Sequence, residues 1–219
     1  AVSDFVGDPE GAQIARVIVE NLRRSGYFAP IDPAAFVEKI TDPDAVPKFE
    51  NWKALNAQAL VTGRVAKDAQ GRLAVPFRLW DVYAGEQAAG QRYATAAKDW
   101  RRIGHLVSDA VWERIIGEKG HFDTRVVFVD ETGSKEERRK RIAVMDQDGA
   151  NARYVTGGAD IVFSPRFAPD NRRIAYTAQP KGGQARVVLH DLATNQRESL
   201  AADTFGPRFS PDGARLLMS

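Results

Sequence analysis

The sequence contains no cysteine. Disulfides, thiolate metal sites and cysteine nucleophiles are therefore excluded. The absence fits an oxidising compartment, where a stray thiol is a liability, although many cytosolic proteins also lack cysteine. Histidine is scarce: His105, His121 and His190 lie far apart, without the spacing that brings imidazoles to one metal. Each is read as structural, and no metal or cofactor is expected. No apolar run approaches the about 20 residues a spanning helix needs. Neither sign of charge dominates. With 31 basic and 29 acidic side chains the net charge is +2, which gives no reason to expect a nucleic-acid partner or more than peripheral contact with a membrane. There is no G-x-S-x-G nucleophile elbow. Thr132-Gly133-Ser134-Lys135 lacks the upstream glycine of a phosphate cradle. The first residue is Ala1 rather than Met, which predicts an upstream segment, either a signal peptide of the precursor or a sequence boundary.

What is present falls into two halves, residues 1–121 and 122–219. In the first, Asp8 and Pro9 predict a capped helix start. Ile14, Val17, Ile18 and Leu22 follow at helical spacing, and Gly26 offers a stop. Short helices are expected around Phe36 and over residues 52–56. Residues 59–66, 72–83 and 86–97 read as a three-strand meander. Asp99 predicts the cap of a second long helix with Ile103, Val107, Val111 and Ile115 on one stripe. Helices on one face of a sheet make a small α/β domain. Trp52, Trp80, Trp100 and Trp112 all fall here, and core packing is their default.

After His121 the helical period disappears. Residues 125–129, 141–146, 173–178, 186–191 and 215–219 read as short strands separated by turns such as Asp148-Gly149. Pro165-Arg166-Phe167-Ala168-Pro169-Asp170-Asn171 recurs 42 residues later as Pro207-Arg208-Phe209-Ser210-Pro211-Asp212-Gly213. Four short strands in a unit of that length predict β-propeller blades. In each copy the Phe packs between blades and the second Pro ends its strand. Asp with Asn or Gly makes the tight turn. Pro165, Phe167, Pro169, Asp170, Pro207, Phe209, Pro211, Asp212 and Gly213 are thus structural motif residues, and no catalytic, cofactor-binding or metal-binding residue is expected. The first unit shows no P-x-F strand of its own, so that strand is expected from the far end of a longer chain. Residues 122–219 hold about two and a third units, and a complete protein of roughly 400 residues is expected.

The α/β domain and its blades together resemble the TolB family. Phe5-Val6-Gly7-Asp8, Ala12-Gln13-Ile14-Ala15, Leu22-Arg23-Arg24-Ser25-Gly26-Tyr27-Phe28 and Pro30-Ile31-Asp32-Pro33-Ala34-Ala35-Phe36 carry the likeness. So do residues 52–57, Leu60-Val61-Thr62-Gly63, Arg78-Leu79-Trp80-Asp81-Val82, Gly104-His105, Ser108-Asp109 and Thr124-Arg125. The resemblance is to the alphaproteobacterial type and covers essentially the whole chain. It implies a mixed sheet with two long helices, followed by the first two to three blades of a six-bladed propeller left incomplete here. It implies a periplasmic scaffold of the Tol–Pal system rather than an enzyme. In the family the propeller binds the lipoprotein Pal at one face, TolA engages the N-terminal segment, and group A colicins exploit the same protein. The segment ahead of Val2 and most of the propeller are not in this sequence. The resemblance therefore places the TolA-engaging stretch and most of the Pal-binding face outside it.

Two other readings are weighed against this one. Propellers with the same repeat precede the catalytic domain of prolyl-oligopeptidase-type serine peptidases, and a G-x-S-x-G nucleophile downstream would mark one. The run Lys135–Arg141 is either a solvated hairpin loop or a contact for an acidic partner or membrane surface. Asp146, Asp148, Asp170 and Asp212 sit at strand ends, where turn formation is their expected role.

Overall fold

A computed structural model describes residues 1–134 and 137–219. The chain forms two compact units, Ala1–Asp123 and Thr124–Ser219.

The first unit is a sheet with helices on one face. Helix α1, Glu10–Arg24, forms because Ile14, Val17, Ile18 and Leu22 recur on one face, where all four are buried. It starts one residue later than predicted and has no side-chain cap. The Asp8 N–H bonds the Val65 carbonyl at 3.1 Å, which holds this residue against the sheet, and its carbonyl accepts the Gly11 N–H at 2.9 Å. In place of a helix at Phe36 there is one 3₁₀ turn, Pro33–Ala35, capped by Asp32, and Phe36 is already extended. Helix α2, Phe49–Lys53, carries the buried Trp52.

Strands β1 (Val6–Gly7), β2 (Ala59–Lys67), β3 (Arg72–Asp81) and β4 (Glu86–Ala96) line up in the order β1-β2-β3-β4. The meander β2-β3-β4 is antiparallel, and β1 adds to β2 in parallel, Val6 opposite Arg64. The sheet is therefore mixed. Side chains alternate across it. Leu73, Val75, Phe77 and Leu79 join α1 in the main core, while Leu60 and Trp80 pack with Trp52 in a smaller cluster.

Helix α3, Trp100–Ile116, follows a 3₁₀ turn, Ala97–Asp99, and Asp99 makes no side-chain cap bond. Its Ile103, Val107 and Val111 complete the main core. Gly104 lets α1 approach: a Cβ there would lie 2.6 Å from Val17 Cγ1. Beside this crossing Asn21 Nδ2 bonds Ser108 Oγ at 3.0 Å and His105 Nδ1 at 2.9 Å, and Ser108 Oγ donates to the Gly104 carbonyl at 2.7 Å. All three side chains are buried, so the network meets polar needs that water cannot reach. No helix among the described residues is long and apolar enough to cross a membrane.

The second unit is all β. Strands β5 (Arg125–Thr132), β6 (Arg139–Asp146) and β7 (Arg153–Tyr154) form a three-stranded sheet. Strands β8 (Ile161–Phe167), β9 (Arg173–Gln179), β10 (Arg186–Asp191) and β11 (Arg197–Ala202) form a four-stranded one in chain order. Strands β12 (Arg208–Phe209) and β13 (Leu216–Leu217) pair as the start of a third. All pairings are antiparallel, as in propeller blades, and the set is not closed into a ring. Among the described residues nothing pairs with the outer edge of β5, the place β8 takes in the next blade. One core runs between the first two blades, joining Ile142, Val144 and Val155 to Val162, Ile174, Tyr176 and Val188.

Candidate functional site

The motif residues repeat one local geometry. Pro165 and Pro207 are buried, Phe167 and Phe209 half-buried, and Pro169, Asp170, Pro211 and Asp212 exposed. Phe167 opposes Ile174 and Phe209 opposes Leu216. Strand β8 is bulged between Phe163 and Arg166, with Ser164 at φ +52°, so Pro165 sits where the ladder is already interrupted. After the Phe the chain turns back. Ala168 N–H donates to the Arg173 carbonyl at 2.8 Å, and Ser210 N–H to that of Arg215 at 2.9 Å. The turns close at Asn171 and Gly213, both left-handed, with φ +54° and +70°.

The motif aspartates are engaged within their own turns. Asp170 Oδ1 accepts the N–H groups of Arg172 and Arg173 at 2.8 and 3.0 Å, and its Oδ2 accepts Arg173 Nε at 2.7 Å. Partial burial alone would raise its pKa. The Arg173 and Arg172 N–H groups and the Arg173 guanidinium outweigh it and hold the carboxyl below its ordinary value. Asp212 is held down by the Ser210 hydroxyl and the Ala214 N–H, and Asp191 by the Thr194 and Ala193 N–H groups. Asp148 accepts the Ala150 N–H at 3.0 Å, and Asp146 accepts Asn151 Nδ2 at 2.6 Å. All five carboxylates are turn formers, and the lowered pKa values of Asp170, Asp191 and Asp212 make those three unsuited to donating a proton.

Successive motif turns touch. The guanidinium of Arg125, which opens β5, bonds the Asn171 carbonyl and lies 5.2 Å over the Phe167 ring. A Cβ on Gly213 would meet Pro169 Cδ at 3.3 Å. Phe167 thus packs between the first two blades, and the turns run side by side.

The basic run lies only partly in a loop. Lys135 and Glu136 fall outside the described residues. Arg139, Lys140 and Arg141 belong to β6 because the hairpin pairs out to Thr132 opposite Arg139, longer than its apolar residues suggested. Lys140 and Arg138 pair with Glu131 at 3.2 and 2.8 Å, and Arg141 with Asp130 at 3.0 Å. Arg141 also lies 3.6 Å over the Tyr154 ring.

The histidines are dispersed. His105 is in the α1–α3 network, His121 stacks on Phe122, and His190 is buried with Nε2 2.9 Å from Asn195 Oδ1. Burial, then the charges of Arg197 and Arg153, lower the His190 pKa against the hydrogen bond that Asn195 Oδ1 accepts from the ring.

Residue-pattern reading did not single out Asp109 and Arg102. Asp109 accepts the N–H groups of Phe122 and Asp123 at 2.7 and 2.9 Å, and Arg102 forks onto Asp123 at 3.0 and 2.9 Å. Together they fasten the segment after α3 to that helix. Desolvation raises the Asp109 pKa despite those N–H groups. The signal available was two polar residues seven apart on one helix face, which also describes any solvated stripe.

Residues 1–88 match the family described as the TolB amino-terminal domain, and residues 112–219 the one described as the TolB beta propeller domain. The crystal structure of TolB from Acinetobacter baumannii is similar over 97% of this chain and 52% of its own, with 27% identity and a TM-score of 0.79. This chain therefore spans about half the length of that structure. An acylaminoacyl peptidase from Pyrococcus horikoshii aligns with 43% of this chain and 15% of its own, at 18% identity and a TM-score of 0.37.

Proposed function

This chain belongs to the TolB family, and from that premise we propose that it serves as a periplasmic interaction scaffold of the Tol–Pal system. In this role it binds the lipoprotein Pal through its blades and works with TolA. It thereby supports outer-membrane integrity and the invagination of that membrane during division. It catalyses no reaction. The observation that carries the reading is that both units align with one TolB structure over 97% of this chain. The motif aspartates support a non-catalytic role, since their carboxylates are already engaged by turn N–H groups.

The test is a binding measurement between the product of the complete gene and Pal from the same source. Retention of Pal at micromolar concentration is expected, and no retention there overturns the scaffold reading. Hydrolysis of blocked peptides by the same preparation would instead favour the peptidase alternative. The amino-terminal domain match over residues 1–88 argues against that outcome.

A further inference from the structure

Within the second unit a cleft of about 210 Å³ opens between the loop after β7 and one face of the second blade. The strand register sets its floor. Tyr176, Val188 and Ser199 form one row across β9, β10 and β11. Arg186, opposite Ala178, and Arg197, opposite His190, lie two positions to either side of that row. Side chains two apart on a strand share a face, so both guanidinium groups flank the same row. The opposite wall is Thr156-Gly157-Gly158-Ala159-Asp160. Gly158 has φ +82°, and a Cβ there would lie 2.6 Å from Arg139 Cγ and 3.0 Å from Arg141 Cγ. The loop is thus pressed onto two more arginine stems, while nothing crowds the Cβ position of Gly157.

The charges in this cleft are unbalanced. Arg197 Nη2 donates to the Val155 carbonyl at 2.8 Å. Arg186 makes no ion pair among the described residues, and its Nε is buried without an acceptor. A buried cationic donor left unfilled is costly. Among the described residues Asp160 is the one carboxylate lining the cleft. Two guanidinium groups against one carboxylate leave a single net positive charge. His190, the register partner of Arg197, is depressed by burial and then by Arg197 and Arg153, as expected beside a positive field.

We propose that this cleft binds one carboxylate, supplied by a free acid or by the acidic side chain of a peptide. A monoanion cancels the one excess charge. A planar carboxylate also matches the guanidinium fork, whereas a phosphate dianion would leave the cleft negative. The volume lies below the roughly 300 Å³ at which small-molecule pockets begin, so it suits a terminal group rather than a nucleotide or sugar. The site is separate from the reading of the protein as a scaffold and stands or falls on its own.

The test is to titrate the 219-residue chain with sodium acetate at constant ionic strength, following the Gly157 and Gly158 amides and Arg186 Nε by ¹H–¹⁵N NMR. Saturable shifts are expected with acetate and none with matched sodium chloride. Arg186→Gln should weaken binding at least about fivefold, the loss of one charge-assisted pair, while Lys181→Gln leaves it unchanged. Should Arg186→Gln fail to fold, Arg186→Lys keeps the charge, removes the fork and should weaken binding less. A blocked glutamate dipeptide that saturates at lower concentration than acetate assigns the source to a peptide, and the reverse order assigns it to a free acid. Phosphate binding more tightly than acetate overturns the carboxylate assignment. No saturable shift up to about 100 mM, where even very weak sites fill, overturns the site itself.

Discussion

Ile18 on α1 and Phe77 on β3 share one core although they are 59 positions apart, whereas Phe167 and its register partner Ile174 in the second unit are seven apart. The first unit is assembled from distant segments, with Phe5 from the chain's start lying over Gly63 of β2 and a buried Asn21–His105–Ser108 network at its helix crossing. The second is built from hairpins, and those joining β6 to β7, β8 to β9, β10 to β11 and β12 to β13 are closed by an aspartate that accepts N–H groups of its own turn. Damage to the first should therefore spread through the whole unit, and damage to the second should stay local.

The sharpest contrast comes from Phe77→Ala. This ring is buried and stacked on Tyr93 at a centroid distance of 6.0 Å, and its loss should cost about 3–5 kcal/mol. All four tryptophans lie in the first unit, so their fluorescence in a urea titration reports that unit. An early fluorescence transition with unshifted amide exchange in β9 and β10 is expected, and a joint shift would show that the units unfold as one. Gly104→Val forces a Cβ toward Val17 and should cost about 1–3 kcal/mol by the same fluorescence. Phe167→Ala, half-buried between blades, should cost about 1–2 kcal/mol. Faster amide exchange should follow in β5, β8 and β9, with β11 little affected.

The smallest effect concerns pH. His190 is lowered from 6.5 in the folded state, so its neutral form is favoured there. The second unit should lose stability as the pH falls below about 6.5 toward the depressed value, and His190→Gln should abolish that step. Asp170, Asp191 and Asp212 are lowered from 3.8. Their stabilisation is present above that value and is lost as acid titrates them through their folded values. In the first unit Asp109 is raised and works in the opposite direction, its contribution falling as the pH rises through its folded value. Exchange of the Tyr176 amide across pH 4–7 follows the His190 step.

The parts of this architecture that follow a period could be read from the residues alone. The four-residue rhythm of Ile103, Val107 and Val111 and the recurrence of P-x-F-[SA]-P-D both match elements in the structure. What lacked a period was missed. Strand β1 is two residues long, and its partner Arg64 lies 58 positions away, so no local pattern announces it. Asp8 and Asp99 have the right chemistry for caps, yet Asp8 is held by its bond to Val65 and Asp99 closes a 3₁₀ turn. Arg186 reads as the ordinary first residue of the strand 186–191, and no residue pattern marks Arg197. Their shared cleft exists only because β10 and β11 pair in one particular register and a Gly-Gly loop faces them.

The bond from Arg125 to the Asn171 carbonyl joins the first residue of one blade's strand to the turn of the next. A blade held this way behaves like a link in a one-dimensional chain, its stability the sum of its own hairpins and one contact on each flank. Removing the Arg125 guanidinium should loosen the turn it grips and leave the Asp212 turn unchanged. Signals passed around such an array would fade with each joint crossed, so a ligand on one blade would be felt chiefly by its neighbours.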